Sequence, residues 1–472
     1  MNVLIVGGGI CGLGTALLLA RDGHEVTVLE RDADAMPGGV DRTWDDWTRK
    51  GVAQFRQPHN LMPGLRLLLE TELPEVQEGL RLAGAGRLDL LNPLPPFFTD
   101  RSPRPIDEKL WTLTARRPVG EWVFAVAAQN EPGVTIERGR QVTALLPGAS
   151  AHAGIPHVAG VRTADGDEFR ADLVIDASGR QSHTREWLAA LGARPLYEEQ
   201  ADCGFAYYTR YFHGTEPARV GPVLAAVGTI SILTLPADNN TWSVTVFTAA
   251  GDHPLKRLRF EQSWTRTVRA CPLHAHWLDG EATTDVLPMS GIVDRFRRFV
   301  VDGLPIVTGY VAVGDAWACT NPSAGRGMTV GMLHALRLRD VLRETRDDPN
   351  QLVEEFHRRT EAEIAPWYHA QIAVDRARSS EMEALREGRE RPLPADRLAN
   401  DIFALFSTMG ASPDLFRAGV EYVATVTPVQ DVLQRPEVQA GMRAMREAMQ
   451  TGGRLPPPPA GPNRQQLLEL VG

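Results

Sequence analysis

The stretch NVLIVGGGICGLGTALLLA, residues 2–20, decides the fold. Asn2–Val6 reads as a short buried strand. Glycines follow, and residues 10–21 continue as an apolar helix. GHEVTVLE then reads as a second strand ending at Glu30. Strand, glycine turn, helix, strand is a β-α-β unit, and it implies a parallel sheet. Gly7, Gly9 and Gly12 make G-x-G-x-x-G. The first glycine allows the tight turn, the second lets a pyrophosphate approach the backbone, and the third lets helix and strand pack closely. The free N–H groups of the helix start would face the anion. Glu30 ends the next strand, where its carboxylate can accept from ribose hydroxyls. An acid there argues for an unmodified 2′-hydroxyl, hence FAD or NAD rather than NADP.

A second such stretch lies about three hundred residues on: VAVGDAWACTNPSAGRGMTVG, residues 311–331. A front loop holds only the adenosine and pyrophosphate, so the other half of a dinucleotide needs its own grip. Asp315, after Gly314 and a buried strand, is placed to bond a ribityl hydroxyl. Gly325 and Gly327 let backbone approach a flat ring. The helix starting near Met328 points its partly positive end there. That would stabilise a reduced flavin, which gains negative charge.

Between these loops the character changes. From about residue 200, GFAYYTRYFHG, TISILTLP and WSVTVFTAA alternate and are rich in β-branched and aromatic residues, with ADNN as a polar turn. They predict a largely antiparallel sheet. Phe205, Tyr207 and Tyr211 are candidates to line a substrate pocket. A helix is expected over 255–270. Beyond 345 nearly everything reads as helix, to the proline-rich RLPPPPAGP at 454–462 and a terminal QQLLELV helix. The expected class is mixed α/β. A discontinuous Rossmann-like FAD domain (1–90, 112–190, 285–345) is interleaved with an antiparallel-sheet substrate domain (91–111, 191–284). A helical region, 346–472, follows.

Composition bounds the partners. A formal net charge of -9 argues against a nucleic-acid role. Lys50, Lys109 and Lys256 are the only lysines among 50 basic residues, a bias of the genome rather than of function. Cys11, Cys203, Cys271 and Cys319 are isolated, which predicts neither disulfide framework nor metal site. Each is expected to be a small buried filler, and a reducing cytoplasm fits. There is no uninterrupted apolar run of membrane-spanning length.

The chain resembles the FAD-dependent monooxygenases of the para-hydroxybenzoate hydroxylase-like fold, nearest to bacterial natural-product epoxidases and hydroxylases. GGGICG with Glu30 and Arg31 resembles the first FAD motif. GVAQFRQPH, with Arg56, resembles a segment whose arginine lies along the cofactor. DLVIDASGR, with Asp176, resembles a looser Asp-Gly motif. GDAWACTNPSAGRGM, with Gly314, Asp315, Pro322, Gly325, Gly327 and Met328, resembles the second FAD motif. Arg117 sits where the family often places an FAD-contacting arginine, and Val142 is expected beside the cofactor.

The resemblance implies FAD, O2 as co-substrate, electrons from NAD(P)H and a flavin C4a-hydroperoxide that oxygenates a bulky, apolar, electron-rich substrate. Pro322 would lie by the reacting face, and His59 is the candidate base near the cofactor. Ala177 and Ser178 separate Asp176 from Gly179, and Thr329 and His334 replace a frequent Asn and Asp. These departures favour electrons delivered by a separate flavin reductase, and epoxidation over phenol hydroxylation. Three alternatives share the motifs. A flavin-dependent halogenase would carry Trp-x-Trp-x-Ile-Pro and a lysine downstream of the first motif; this chain has no such stretch, and no lysine between Lys50 and Lys109. A geranylgeranyl reductase-like enzyme would saturate double bonds. A non-catalytic FAD- or NAD-binding protein would bind without turnover.

Overall fold

The computed structural model describes residues 1–150, 152–202, 204–345, 348–451 and 460–472. Cys203 and most of the proline-rich 454–462 stretch lie outside the described residues.

Five short strands form the central sheet, all parallel: in spatial order Tyr310–Ala312, Leu173–Asp176, Asn2–Val6, Glu25–Glu30 and Val134–Arg138. Val6 pairs with Leu29 on one side and Asp176 on the other, so the strands end along one edge. The first strand sits in the middle, and chain order reverses on either side of it. Open α/β sheets bind ligands at such a switch point, beyond the carboxyl ends of the strands.

The helix Ile10–Arg21 is buried along most of its length, which is why it is apolar on every side. It packs on the helix Gly327–Glu344, which starts within the second glycine-rich stretch. Where they cross, a methyl group on Gly331 would come within 2.5 Å of the Cys11 sulfur. The two glycine-rich starts therefore lie side by side, although the chain between them is long.

The antiparallel sheet is present as expected. Its strands run Leu224–Val227, Ile230–Pro236, Thr241–Ala249, Phe205–His213 and Glu281–Ala282, with Leu287–Met289 also beside Phe205–His213. Asn239 and Asn240 of ADNN take the left-handed conformation that a tight hairpin demands. Alternation sorts the aromatics. Tyr208 and Phe212 enter the outer core with Trp242 and Trp264, while Phe205 and Tyr207 pack on Phe247 and Met382. The expected helix over 255–270 is interrupted. A 3-10 turn, His253–Arg259, precedes the helix Glu261–Arg269, and extended Phe260 separates them. The break lets Leu255 and Leu258 join Trp264 and Val268 in one core.

The helical region packs around the other parts. The long helix Ala365–Arg386 brings Met382 onto the sheet and Tyr368 into the central core. Arg378 ties it to the sheet, donating to the carbonyls of Gly228 (2.9 Å) and Ile230 (2.6 Å). The 91–111 segment contributes Leu91 and Leu110 to a small core shared with Val420 and Ala424 of the helical region. No helix among the described residues is long and apolar enough to cross a membrane.

Candidate active site

One cleft opens at the carboxyl edge of the parallel sheet, and both glycine-rich stretches line it. The front loop supplies Gly7, Gly9, Ile10 and Cys11, and the end of the second strand supplies Glu30, followed by Arg31. The back loop supplies Asp315, Cys319, Thr320, Pro322, Gly325, Gly327 and Met328. His59, Arg117, Val142 and the turn Ala177–Gln181 close the flanks.

The front glycines behave as their spacing predicts. Gly7 has φ of +109°, and a side chain there would meet the Ala177 carbonyl. A methyl group on Gly12 would land on the carbonyl oxygen of Gly7, so the third glycine serves packing beneath the cleft. A methyl group on Gly9 would meet no protein atom within 4 Å. That position faces open space, as a pyrophosphate cradle requires.

Glu30 is buried and heavily engaged. It accepts from the backbone N–H of Gly8 and of Asp32, both at 2.8 Å, and from Arg49 at 2.7 Å. Arg49, itself buried, also donates to Asp32 (3.0 Å) and Glu121 (2.7 Å). Glu121 in turn accepts from Nε of Arg117 at 3.0 Å. The Arg117 guanidinium reaches Nε2 of His59 at 2.8 Å, and Nδ1 of His59 lies 2.8 Å from the Gln57 carbonyl. A continuous charged chain thus runs from the acid of the second strand to the histidine. Arg49 carried no sequence signal. It sits in an irregular loop where spacing says nothing, and only the fold brings three carboxylates around it.

The partners assign the His59 proton. A carbonyl can only accept, so Nδ1 donates to Gln57 and Nε2 accepts from Arg117. Burial, and then the neighbouring Arg117 charge, push its pKa down to about 3. A ring with both nitrogens engaged and so low a pKa is a poor base at neutral pH. Its evident work is to orient Arg117.

Asp315 contrasts with Glu30. Among the described residues no protein group donates to its carboxylate, which faces the cleft. Burial pushes its pKa up, while Arg117, Arg180 and Arg295 pull it down. It is an open acceptor awaiting a donor. With the bare surface over Gly9, it makes a cradle whose chemistry fits a dinucleotide carrying hydroxyls at its far end.

Several other candidates lie elsewhere. Gly12 and Gly314 sit beneath the lining. Arg56 donates to the Trp47 carbonyl (3.0 Å) and lies over the Trp44 ring at 4.7 Å, away from the cleft. Asp176 is fully buried. It accepts from the Ser178 N–H (2.9 Å), Ser182 Oγ (2.6 Å) and Thr184 Oγ1 (2.7 Å), and so shapes the turn that meets the cleft. Tyr207 bonds Asn321 behind the back loop, and Tyr211 packs edge-on against Trp44. Phe205 packs against Phe247. Of the cysteines, Cys271 is a buried filler, whereas Cys11 and Cys319 line the cleft.

Known proteins share part of this sequence and its fold. Residues 2–44 match the family of FAD dependent oxidoreductases. The chain is 27% identical over 365 residues to Protein Rv3254 of Mycobacterium tuberculosis (strain ATCC 25618 / H37Rv), spanning 72% of this chain and 73% of that protein. It is 27% identical over 225 residues to chloroplastic zeaxanthin epoxidase of Oryza sativa subsp. japonica, spanning 44% of this chain and 28% of that protein. PqsL of Pseudomonas aeruginosa, a probable FAD-dependent monooxygenase, shares the fold with a TM-score of 0.59 at 18% identity. The match covers 81% of this chain and 96% of PqsL. The fold is that of the FAD-dependent monooxygenases, as the motifs imply. Residues 2–44 thus match the FAD dependent oxidoreductases, on a fold shared with FAD-dependent monooxygenases.

Proposed function

We propose that the protein is a flavin-dependent monooxygenase that places one oxygen atom from O2 on a bulky, apolar, electron-rich natural-product intermediate. The observation that carries this reading is the meeting of the two glycine-rich loops on one cleft, with Gly9 bare at one end and Asp315, at the other, without a hydrogen-bond donor among the described residues. Bound FAD would supply the activation of O2 after reduction. The chain's own residues would bind and orient it. Glu30 would accept from ribose hydroxyls, Asp315 would accept from the ribityl chain, and the start of the helix Gly327–Glu344 would stabilise the negative charge of the reduced flavin. Pro322, which lines the cleft, would lie by the reacting face of the ring.

Epoxidation is the favoured outcome. Hydroxylating a phenol calls for a base to take its proton, whereas an alkene needs none. His59 is held neutral and engaged on both nitrogens, which removes the sequence's best base. The relative in rice is named as an epoxidase. Electrons come from NAD(P)H, through a separate flavin reductase.

The test is a visible spectrum of the purified protein, then reduction, aeration and a screen of alkenes and aromatics. A flavin spectrum, O2 uptake and an oxygenated product are expected. A colourless protein that takes up no FAD would refute the reading. So would saturation of an alkene without oxygen uptake, the behaviour of an isoprenoid reductase.

A further inference from the structure

We propose that Asp375 and Gln371, on the helix Ala365–Arg386, are positioning residues that set the turn Asn321–Gly325 against the flavin ring. This rests on the functional reading above and assigns the helical region a part in it.

The turn needs such support. Its 3-10 core is Pro322–Ala324, closed by left-handed Gly325. Proline offers no N–H, and the turn's internal backbone bond is Gly325 N–H to the Pro322 carbonyl at 2.9 Å. One face, with Pro322 and Gly325, borders the cleft. The opposite face carries Ser323, whose hydroxyl donates to Oδ1 of Asp375 at 2.7 Å. Nε2 of Gln371 donates to Oδ2 of Asp375 at 2.9 Å and to Ser323 Oγ at 3.0 Å. Asp375 and Gln371 are one helical turn apart, and both are buried. The three side chains close a hydrogen-bonded triangle directly under the turn.

The flanks are pinned as well. The Asn321 N–H donates to Asp294 at 2.7 Å, and the Asn321 side chain bonds Tyr207. Arg326 lies over the Tyr422 ring at 4.1 Å and donates to the Tyr422 carbonyl at 3.1 Å. The helical region thus grips the turn at Ser323 and again at Arg326. A ring pressed on this turn would have its height set from behind, by a helix that does not reach the cleft. An error of about an ångström at a reacting centre is costly.

The experiment compares Ser323→Ala, Asp375→Ala and Asp375→Asn with the unaltered protein in binding of FAD and of ADP. ADP fills only the front loop, so it reports whether that half of the cleft stays intact. Ser323→Ala and Asp375→Ala should weaken FAD about tenfold, the effect of one charge-assisted hydrogen bond. They should also shift the visible flavin band and leave ADP binding unchanged. Asp375→Asn keeps an acceptor for Ser323 and should restore most of the FAD affinity. If Asp375→Ala does not fold, Ser323→Ala, which removes one oxygen atom, decides. FAD binding within twofold of normal with an unshifted band would overturn the proposal. Equal weakening of FAD and ADP would overturn it too, as a general loss of structure. If the unaltered protein binds ADP but no FAD, the functional reading itself has failed.

Discussion

Replacing Arg49 by methionine probes the charged chain beneath the cleft most directly. Arg49 touches Glu30, Asp32 and Glu121 at 2.7–3.0 Å, and all four side chains are buried. Methionine would fill much of the space and leave three carboxylates without their shared cation. Removing one partner of a buried ion pair costs about 3–5 kcal/mol, chiefly from the stranded charge. The cost here is not three times that. Glu30 keeps the Gly8 and Asp32 N–H groups, Asp32 keeps the Gly51 N–H, and Glu121 keeps Arg117. A loss of about 3–5 kcal/mol in urea unfolding is expected for Arg49→Met. FAD retention on dilution should fall with it, because Glu30 loses its anchor. Neutralising Glu121 in the same chain (Glu121→Gln) should cost less in the Arg49→Met background than alone, with a coupling of about 1–3 kcal/mol. A loss below about 1 kcal/mol for Arg49→Met, or strict additivity with Glu121→Gln, would refute the chain as an energetic unit.

Further outcomes separate binding from folding and follow pH. Gly9→Ala should leave the melting temperature within a degree or two, since its methyl meets no protein atom, yet abolish tight FAD binding by crowding the pyrophosphate. Gly12→Ala, which strikes the Gly7 carbonyl, should lower stability and FAD binding together. Thermal melts with and without FAD distinguish the two. Burial pushes His59 and His334 from 6.5 to about 3, so the unfolded chain takes up those protons first. Their contribution is complete above pH 6.5 and is lost as pH falls toward 3, by about 2 kcal/mol each between pH 6.5 and 5. Urea titrations across that range measure it, and His334→Asn should flatten part of the slope. Asp375 acts oppositely. Burial raises its pKa from 3.8 to about 7, with Asp294 adding to the rise while Gln371, Ser323 and Arg326 oppose it. Its contribution is therefore lost as pH rises between those values, and Asp375→Asn should remove that component. Burial pushes the Cys11 thiol up to about 12 and Cys319 well above its usual value. Alkylation at pH 8 should be slow at both and slower still with FAD bound, as peptide mapping would register.

The sequence by itself determined the parallel sheet, the two glycine-rich helix starts, the antiparallel sheet between them and the helical tail. Those features are local. A strand, a tight turn and a close helix approach each demand particular residues at fixed offsets, so Gly7, Gly12, Glu30 and Asp315 were legible before any fold was known. Spacing could not say which polar groups meet across the chain. Arg56 and Arg117 look alike in sequence, yet only Arg117 lines the cleft, because Trp44 and Trp47 hold Arg56 elsewhere. His59 looked like a base until Arg117 and the Gln57 carbonyl occupied both its nitrogens. Arg49 and Asp375 were silent, since a buried charge is defined by the partners folded around it. Asp375 meets Ser323 from fifty-two residues away, a distance no periodicity spans. Local backbone geometry is written in the residues that adopt it, whereas electrostatic partnership between distant side chains exists only once the chain has closed around them.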